Sequence, residues 1–497
     1  MYFNKTNIKS NNNKSNNNEA DYPLFILVSL LIIISITFSY SLTIYTVEFF
    51  GYDQFHFFIR QGLVGILAIF IMWYFSLLDP DKIVKKIGMN LFVIFFVIMI
   101  LMPFLPSFMV TESGGANRWI RLPGFSLSPV EFFKIGFIYF LSWSFHRKVI
   151  HQPKKIGLIE EVLLLSPYFF TFFIVVFVIA FLQKDLGQVV LLAIILVVLL
   201  IFANRSFKIF LALGTIAIVG VIGLIIVAPH RIKRIHSWWA MVQDGILSVL
   251  PSWAEKYLRI DELPEPYQVS HSLNAIHNGG FFGQGVGLGD LKVGFLSEVH
   301  TDFVLAGITE EIGLVGLMLI SSIIFLIIWR IFKISRRVEN PIYHLFTLGI
   351  ALMIIIAFII NSYGISGMIP IKGIAVPLLS YGGSSMLSMA VAIGLVLSIS
   401  KAVKDEEQVN KKVKRRVQAV IDTNNPLFNK EYITHLKTNL ADDKIFSFNY
   451  SLNLCRFDTL AYIKKTEMNK NNSVFKIAVD KHDIDQLEFL NCNYNLQ

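Results

Sequence analysis

Apolar stretches of membrane-spanning length recur along most of this chain, and they constrain its fold more than any other feature. A helix needs about 20 residues to cross roughly 30 Å of hydrocarbon, where unpaired backbone groups find no partner. Each stretch is therefore predicted to be a helix, within an all-α polytopic membrane protein. The ten predicted spans are 24–47, 57–78, 90–109, 127–145, 162–181, 185–203, 207–228, 303–329, 343–362 and 380–400.

The distribution of positive charge predicts the orientation of these spans. Connections after even-numbered spans are rich in Lys and Arg, whereas the short connections after odd-numbered spans hold few. Basic residues favour the cytoplasmic side, so both termini are predicted there and the long loop at about 229–302 is predicted outside, between spans seven and eight. The formal net charge of +9 is then an orientation signal, and no nucleic-acid partner is expected.

Composition divides the chain into three parts. Residues 1–22 are rich in Asn and Lys and are expected to form a disordered cytoplasmic lead, followed by a membrane domain at 23–400. Residues 401–497 are polar and are expected to form a largely disordered cytoplasmic tail, with a small domain as the alternative. The chain has only 2 cysteines, both in this tail, which excludes a disulfide framework and a cysteine metal cluster.

A first polar cluster combines a turn with two charges inside a predicted span. The turn is Gly-Gly-Ala-Asn-Arg-Trp-Ile at 114–120, and the span carries Glu131 and Lys134. Residues three apart share a helix face, so these two charges are expected to lie side by side. Ionisable groups inside a membrane are costly and are usually paired or functional. Both interpretations stay open, because a paired lysine can also line a cavity.

Two aspartates lie at the starts of predicted spans at the same outer face. Asp185 lies in a short turn, where capping of the following helix is sufficient to explain it. Asp302 follows a segment at 279–289 with six glycines, which excludes a regular helix and permits close backbone approach to a ligand. Partial desolvation would raise the pKa of Asp302 and suit it to accept a proton. A helix cap is the structural alternative for this residue.

The fourth cluster, at 370–385, is rich in Pro, Gly and hydroxyl groups and contains Lys372. Backbone of this kind at membrane depth is tolerated only within protein or against a watery cavity. Ser384 and Ser385 are expected to cap the last helix, whose free amides would then face an anion. The structural alternative is a turn between spans.

These motifs together resemble those of the SEDS family (shape, elongation, division and sporulation proteins), bacterial cell-wall polymerases with ten spans. The resemblance covers about residues 20–400, and residues 267–273 and 371–373 are more similar to the division branch, FtsW, than to the elongation branch, RodA. The segment 240–266 looks longer than is usual in the family. The motifs are Gly-Ala-Asn-Arg-Trp-Ile at 115–120, Ser-Pro-Val-Glu-Phe-Phe-Lys at 128–134, Asp-Leu-Gly at 185–187, His-Thr-Asp-Phe at 300–303 and Pro-Leu-Leu-Ser-Tyr-Gly-Gly-Ser-Ser at 377–385.

The resemblance implies an activity and a site. SEDS proteins polymerise lipid II into glycan strands with inversion at the anomeric carbon, which requires one base, and Asp302 matches the family's catalytic aspartate. The pyrophosphate leaving group must be neutralised by cations or aimed amides. No protein metal site is predicted, but Mg²⁺ or Mn²⁺ is a candidate at the pyrophosphate. The candidate substrate-binding residues are Arg118, Trp119, Glu131, Lys134, Lys372, Ser384 and Ser385.

The implied partners are lipid II, nascent glycan, a class B penicillin-binding protein and other division-complex membrane proteins. The implied location is the bacterial inner membrane at the division septum. A lipid II flippase or other lipid-linked transporter and a non-catalytic division scaffold are the alternatives. The polar clusters gather on one side of the membrane rather than at its midplane, which favours an enzyme over a transporter.

Overall fold

The chain divides into two units, Met1–Val403 and Lys404–Gln497. The computed structural model describes residues 19–106, 108–113, 116–122, 125–149, 158–203, 229–248, 250–260, 267–290, 298–370, 373–403, 462–469, 472–478 and 492–494, with Leu296 and a few residues between 215 and 226.

The first unit is built mainly from helices, which confirms the predicted fold class. Short single turns extend two of them, a 3₁₀ turn at Met102–Phe104 after α4 and a π turn at Val178–Leu182 after α6. The described helices are α1 (Tyr22–Leu42), α2 (Ile44–Phe50), α3 (His56–Leu77), α4 (Pro80–Leu101), α5 (Pro129–Lys148), α6 (Leu158–Phe177), α7 (Leu186–Phe202), α8 (Pro229–Leu247), α9 (Ser252–Leu258), α10 (Tyr267–Gly279), α11 (Val304–Arg337), α12 (Pro341–Ile365) and α13 (Gly383–Ser400).

Seven described helices are long and apolar enough to cross a membrane, namely α1, α3, α4, α6, α11, α12 and α13. Helices α5 and α7 coincide with the predicted fourth and sixth spans, although α5 carries internal charges and α7 has only 17 residues. Most of the predicted span at 207–228 lies outside the described residues. The count of ten spans and the place of the outer loop therefore remain predictions.

Basic turns at the helix ends account for the main errors in the predicted spans. The third span was expected to begin at 90, whereas α4 begins at Pro80 and includes Lys82, Lys85 and Lys86. Long basic side chains can lie along apolar surface while their charges reach water, so a helix continues where the apolar pattern stops. The residues at the start of α4 also favour a helix there, because Asp79 caps the helix and proline is well suited to its first position. Helix α12 begins in the same way, with Asn340 as the cap and Pro341 as the first residue.

The last helices form the centre of the bundle. In the most apolar 18-residue stretch of each helix, 72% of the residues in α12 and 78% in α13 are buried, against 17% in α4, which leaves α4 at the lipid-facing periphery. Helix α5 packs against α4, α7, α12 and α13. A Cβ atom on Gly136 would lie 2.1 Å from the backbone nitrogen of Phe92, so α4 and α5 cross in backbone contact.

A three-stranded antiparallel sheet that was not predicted lies between α4 and α5. Its strands are β1 (Val110–Ser113), β2 (Ala116–Leu122) and β3 (Phe125–Leu127), paired in chain order with Val110 opposite Ile120 and Ile120 opposite Leu127. β1 and β3 have only 4 and 3 residues, and the 7 residues of β2 do not alternate strictly between apolar and polar side chains, so no strand pattern stands out. The sheet delivers Arg118 and Trp119 to the end of the bundle from which α5 begins.

The glycine-rich segment at 279–289 docks on a break in α11. Gly313 has φ of 68° and ψ of −174°, which interrupts the helix. Backbone amides of Gln284 and Gly285 donate to the carbonyls of Glu310 and Glu311 at 2.9 Å, and the amide of Leu314 donates to the carbonyl of Gly280 at 2.9 Å. The loop thus satisfies the backbone groups that the break exposes. The glycines of this segment therefore allow its backbone to approach α11 closely.

The long segment before α11 contains the three helices α8, α9 and α10. Helix α8 carries the mixed basic and aromatic residues that are typical of an interface-lying helix. It is anchored to the bundle because the indole nitrogen of Trp238 donates to the carbonyl of Gly367, just beyond α12, at 2.7 Å.

The second unit contains a three-stranded antiparallel sheet of β4 (Tyr462–Asn469), β5 (Asn472–Ala478) and β6 (Cys492–Tyr494), in that order. The rest of the predicted tail lies outside the described residues, as does most of the predicted lead at 1–22. Disorder and a cytoplasmic location for these segments remain predictions.

Candidate active site

Asp302 lies in a tight turn immediately before α11. Its backbone amide donates to the carbonyl of Glu298 at 3.1 Å, and the hydroxyl of Thr301 donates to the Glu298 carboxylate at 2.7 Å. The N-cap residue of α11 is Phe303, without a side-chain cap. The Asp302 carboxylate is therefore not used as a helix cap, and it is available for another role.

The end of α12 and the loop that follows it converge on this turn. Asn361, buried near the end of α12, donates from Nδ2 to the carbonyl of Asp302 at 2.7 Å and to the carbonyl of Ile374 at 2.8 Å. The amide of Tyr381 donates to the carbonyl of His300 at 2.8 Å. The loop between α12 and α13 is thus held to the turn through Asn361 and through the amide of Tyr381.

A small cavity lies beside the Asp302 carboxylate, lined also by Asn361, Gly373 and Ile374. Gly373 has φ of 62°, and a Cβ atom there would lie 3.1 Å from Oδ2 of Asp302. Glycine is required here both for its backbone conformation and for the space that it leaves. The Oδ1 atom of Asn361 is buried without a hydrogen-bond partner among the described residues, and the cavity of about 10 Å³ has room for a water-sized group beside it.

The electrostatic surroundings of Asp302 favour its protonated form. Burial raises the pKa of Asp302 to about 6, and the nearby Glu298 carboxylate adds to that increase. Arg118 and Arg234 lower the pKa and Asp185 raises it, each by a smaller amount. A carboxylate with a pKa near neutrality is suited to accept a proton during a reaction.

Arg118 pairs with Asp185, which joins the first two polar clusters. Arg118 Nε lies 3.4 Å from Asp185 Oδ2, and an Arg118 Nη donates to the carbonyl of Lys184 at 3.4 Å. Asp185 caps α7 by accepting from the amide of Gln188 at 3.4 Å, which agrees with the predicted capping role.

Glu131 and Lys134 form the ion pair that their spacing predicts. Lys134 Nζ lies 2.9 Å from Glu131 Oε2, and the side chains are only 8% and 15% exposed for Lys134 and Glu131, respectively. Gln188 of α7 donates to the other Glu131 oxygen at 3.4 Å, which links the pair to the helix capped by Asp185. The pair is therefore part of the same polar region as Arg118.

Ser384 does not cap the last helix, which corrects the sequence-based expectation. The N-cap residue of α13 is Gly382, and no side chain caps this end. The Ser384 hydroxyl instead accepts from the amide of Ser128 at 2.9 Å and donates to the carbonyl of Ser126 at 2.8 Å. It joins α13 to β3 and to the start of α5, because a hydroxyl can accept and donate at once.

Three further residues were predicted to bind substrate, and two of them lie among the described residues. Trp119 is 40% exposed on β2, and Ser385 is half-buried in the first turn of α13. Lys372 lies outside the described residues. No group of three or more His, Cys, Asp or Glu side chains that could hold a metal ion occurs in the described part of the chain.

Sequence reasoning missed Asn361 and Gln188. Asn361 is a polar residue inside the predicted span at 343–362, and that alone is a signal of function or of structural bonding. Its partners are two backbone carbonyls from remote segments, which no spacing in the sequence reveals.

Comparison with known proteins places this arrangement in a family. The family model for cell cycle proteins that covers FtsW, RodA and SpoVE matches residues 22–405. The chain belongs to this family. The match confirms the predicted SEDS resemblance, and with the seven apolar helices it makes the chain a multi-pass membrane protein.

Individual relatives agree with this assignment. The chain is 46% identical over 386 residues to the probable peptidoglycan glycosyltransferase FtsW of Helicobacter pylori (strain J99 / ATCC 700824), covering 78% of this chain and 99% of the relative. It is 30% identical over 388 residues to stage V sporulation protein E of Bacillus subtilis (strain 168), covering 77% and 97%. The FtsW relative is the more similar of these two.

Solved structures share the fold at low sequence identity. The Thermus thermophilus rod shape determining protein RodA matches with a TM-score of 0.52 at 20% identity, covering 78% of this chain and 98% of that chain. A chain of a structure described as the structural coordination of polymerization and crosslinking by a peptidoglycan synthase complex matches with a TM-score of 0.56 at 18% identity, covering 78% and 99%.

Proposed function

We propose that this chain is a peptidoglycan glycosyltransferase that polymerises lipid II at the outer face of the inner membrane, for septal wall synthesis in division. The observation that carries the proposal is the Asp302 carboxylate, held beside a cavity with its pKa raised to about 6. Family membership and the name of the FtsW relatives support the same activity.

Asp302 acts as the general base in this proposal. It accepts the proton of the acceptor sugar hydroxyl, whose oxygen attacks the anomeric carbon of the donor while the bond to the pyrophosphate breaks. One base is sufficient because attack and departure occur on opposite faces, which inverts the anomeric centre. The raised pKa of Asp302 supports this role, since proton transfer is most efficient when the pKa of the base is near the working pH.

Positive charge would stabilise the departing pyrophosphate. Arg118 is 30% exposed and within electrostatic reach of Asp302, which makes it the first candidate. Lys372 belongs to the loop that contacts Asp302 through Gly373, and Lys134 is held by Glu131. Trp119, Ser384 and Ser385 would bind or position the sugar and lipid portions. Free amides at the start of α13, which lacks a side-chain cap, are further donors.

A divalent cation remains part of the proposal only as an aid to the leaving group. Mg²⁺ commonly uses one or two carboxylates together with phosphate oxygens, and Glu298 beside Asp302 would be the available protein ligand. Such an ion would neutralise charge on the pyrophosphate. Loss of polymer formation on EDTA treatment, restored by Mg²⁺ or Mn²⁺, would support it.

Partnership with a class B penicillin-binding protein is proposed at the lipid-facing side of α11 and α12. The peptidoglycan synthase complex among the structures that share the fold supports a partnership of this kind. Large apolar side chains on this surface of α11 include Met318, Leu319, Phe325 and Trp329, each more than half exposed. A single transmembrane helix would bury them. Affinity purification from native membranes should recover a transpeptidase and other division-complex membrane proteins, and substitution of Leu319 and Phe325 by Ala should reduce that recovery.

Polymerisation of purified lipid II by the purified chain in detergent tests the enzyme proposal. A flippase has nothing to translocate without a bilayer, and a scaffold makes no polymer. Glycan strands that the wild-type chain forms and the Asp302→Asn variant does not form would exclude both alternatives. A wild-type chain that is folded, binds lipid II and yet makes no polymer would favour the transporter, and one that fails to bind lipid II would favour the scaffold.

A further inference from the structure

A second cavity, of about 260 Å³, lies between the C-terminal half of α5 and the middle of α6. Its lining differs from that of the Asp302 cavity, and the residues of the proposed reaction take no part in it. Phe140 forms an apolar end, roughly 10 Å along α5 from the basic end formed by Arg147 and Lys148, and Pro167 adds apolar lining. The volume is just below the usual range for small-molecule sites, which begins at about 300 Å³.

Specific contacts between the two helices hold this cavity open. The Tyr168 hydroxyl donates to the carbonyl of Ser144 at 3.3 Å, and the Tyr168 ring packs edge-on against Phe145 at 5.2 Å between centroids. Pro167 lacks the amide that would bond the carbonyl of Leu163, and the Ser166 hydroxyl donates to that carbonyl at 2.8 Å instead. Helix α6 therefore tolerates a proline at the cavity wall.

The basic end is organised around an aromatic ring. The guanidinium carbon of Arg147 lies 5.6 Å from the centroid of the Trp143 ring, which restrains the side chain at the cavity. Neither Arg147 nor Lys148 forms an ion pair with a carboxylate of the described residues, and both are exposed.

The chemistry of the two ends fits an amphiphilic anion. Helix α6 is apolar enough to span a membrane, and the basic pair ends α5, so the cavity changes from apolar to basic at the depth of the membrane interface. Arginine offers planar paired donors that match phosphate oxygens, and tryptophan favours the interface. We propose that this cavity binds an anionic phospholipid, with its phosphate at Arg147 and Lys148 and the start of one acyl chain against Phe140 and Pro167.

A soluble anion or an acidic peptide fits less well. Either would leave the apolar end of the cavity facing hydrocarbon without contributing any contact there. A zwitterionic phospholipid would add a positively charged group beside Arg147 and Lys148, which have no acidic partner among the described residues. The site therefore selects for net negative headgroups, such as phosphatidylglycerol.

Photocrosslinking of the full chain in nanodiscs tests the proposal. The discs contain phosphatidylcholine with a few per cent of phosphatidylglycerol that carries a photoactivatable group near the glycerol. Labelled peptides are identified by mass spectrometry after digestion. Labelling is expected to concentrate on peptides containing 140–148 and 167–171, and excess unlabelled phosphatidylglycerol should suppress it, whereas excess phosphatidylcholine or inorganic phosphate should not.

Matched variants separate the site from general attraction to basic surface. Joint substitution Arg147→Gln and Lys148→Gln should lower labelling by about tenfold or more, because each basic side chain near an anionic surface gives roughly a fivefold preference. Joint substitution Arg336→Gln and Arg337→Gln removes an exposed basic pair at the end of α11 and should leave labelling unchanged. Thr171→Phe keeps both charges but fills the apolar end, and should also lower labelling.

Several outcomes would overturn the proposal. Labelling spread evenly along the helices, labelling suppressed equally by phosphatidylcholine, or unchanged labelling in the Arg147 and Lys148 variant would each do so. Suppression by inorganic phosphate would show that the cavity binds a free anion and not a lipid. If the double variant fails to fold, as judged by gel filtration, Thr171→Phe and the competition experiments on the wild-type chain decide the question.

Discussion

Replacing Asp302 by Asn should remove most polymerase activity and leave the fold intact. The turn that holds Asp302 is fixed by its backbone, through bonds to Asn361 and Glu298, and not by its carboxylate. Burial and the charge of Glu298 both disfavour the ionised form of Asp302, so replacing this carboxylate by a neutral amide should stabilise the folded state. The variant should therefore be at least as stable as the wild-type chain.

The size of the loss follows from the role of the residue. Asn cannot accept a proton, and general acid–base catalysis typically contributes about 10²–10⁴-fold to a rate. The wild-type chain carries a second signature, because only the deprotonated base is active. With a pKa of about 6 for Asp302, the ionised fraction is about nine tenths at pH 7 and about one tenth at pH 5, so turnover should fall roughly tenfold as the pH falls through 6.

Turnover of purified lipid II into polymer at saturating substrate, measured from pH 5 to pH 8, is the assay. Asp290→Asn is a matched control, since Asp290 is an exposed aspartate in the loop before α11. That control should retain both wild-type turnover and the wild-type pH profile. The Asp302→Asn variant should show little activity, and that activity should not fall further between pH 7 and pH 5.

Two results would refute this reasoning. One is near-wild-type turnover in a folded Asp302→Asn protein, which would leave the carboxylate without a catalytic role. The other is a wild-type rate that stays flat between pH 7 and pH 5, as expected for an aspartate with the ordinary pKa of about 3.9. The search for a base would then move to Glu298 or Glu131.

Three further predictions concern the surroundings of Asp302 and the buried ion pair. Glu298→Gln removes a charge that raises the pKa of Asp302, so the fall in rate at acid pH should move to lower pH; a shift to higher pH would contradict the assigned coupling. Gly373→Ala forces a positive φ that costs about 1–2 kcal/mol and places a methyl group 3.1 Å from the carboxylate, so both thermal stability and turnover should fall, and unchanged turnover would show that this space is not used. Lys134→Met leaves the Glu131 charge buried and should destabilise the chain by about 3–5 kcal/mol in denaturant unfolding, whereas joint substitution with Glu131→Gln should restore most of that loss.

The helical framework was predictable because lipid leaves a chain few alternatives. Every predicted span that falls on described residues coincides with a helix. Two features were missed. Helix α4 begins ten residues before the predicted 90, inside a basic turn, and the sequence of β1 to β3 shows no regular alternation of apolar and polar residues. The thickness of the hydrocarbon layer predicts where spans lie, but it says little about the polar segments that connect them.

The candidate site was only partly predictable. Charged residues inside or beside spans were found from their cost in lipid, and the pair of Glu131 and Lys134 was predicted from spacing alone. The contacts of Ser384, Asn361 and the glycine-rich segment were not, because each bonds to the backbone of a distant segment. Side-chain identity records an ability to donate or accept, and the fold alone decides which partner is used.

The hydroxyl bridge from Ser384 to Ser126 and Ser128 also fixes the order in which the site can be completed during synthesis. The bridge joins residues more than 250 positions apart, and the loop around Asp302 is likewise closed by Tyr381. A ribosome needs on the order of ten seconds to extend the chain from Asp302 to Ser384. Throughout that interval the nascent protein carries its key aspartate without the segment that surrounds it. Translation that stops short of the last helix thus yields a chain with an open and incomplete site, and the final helix serves as the closing step of assembly.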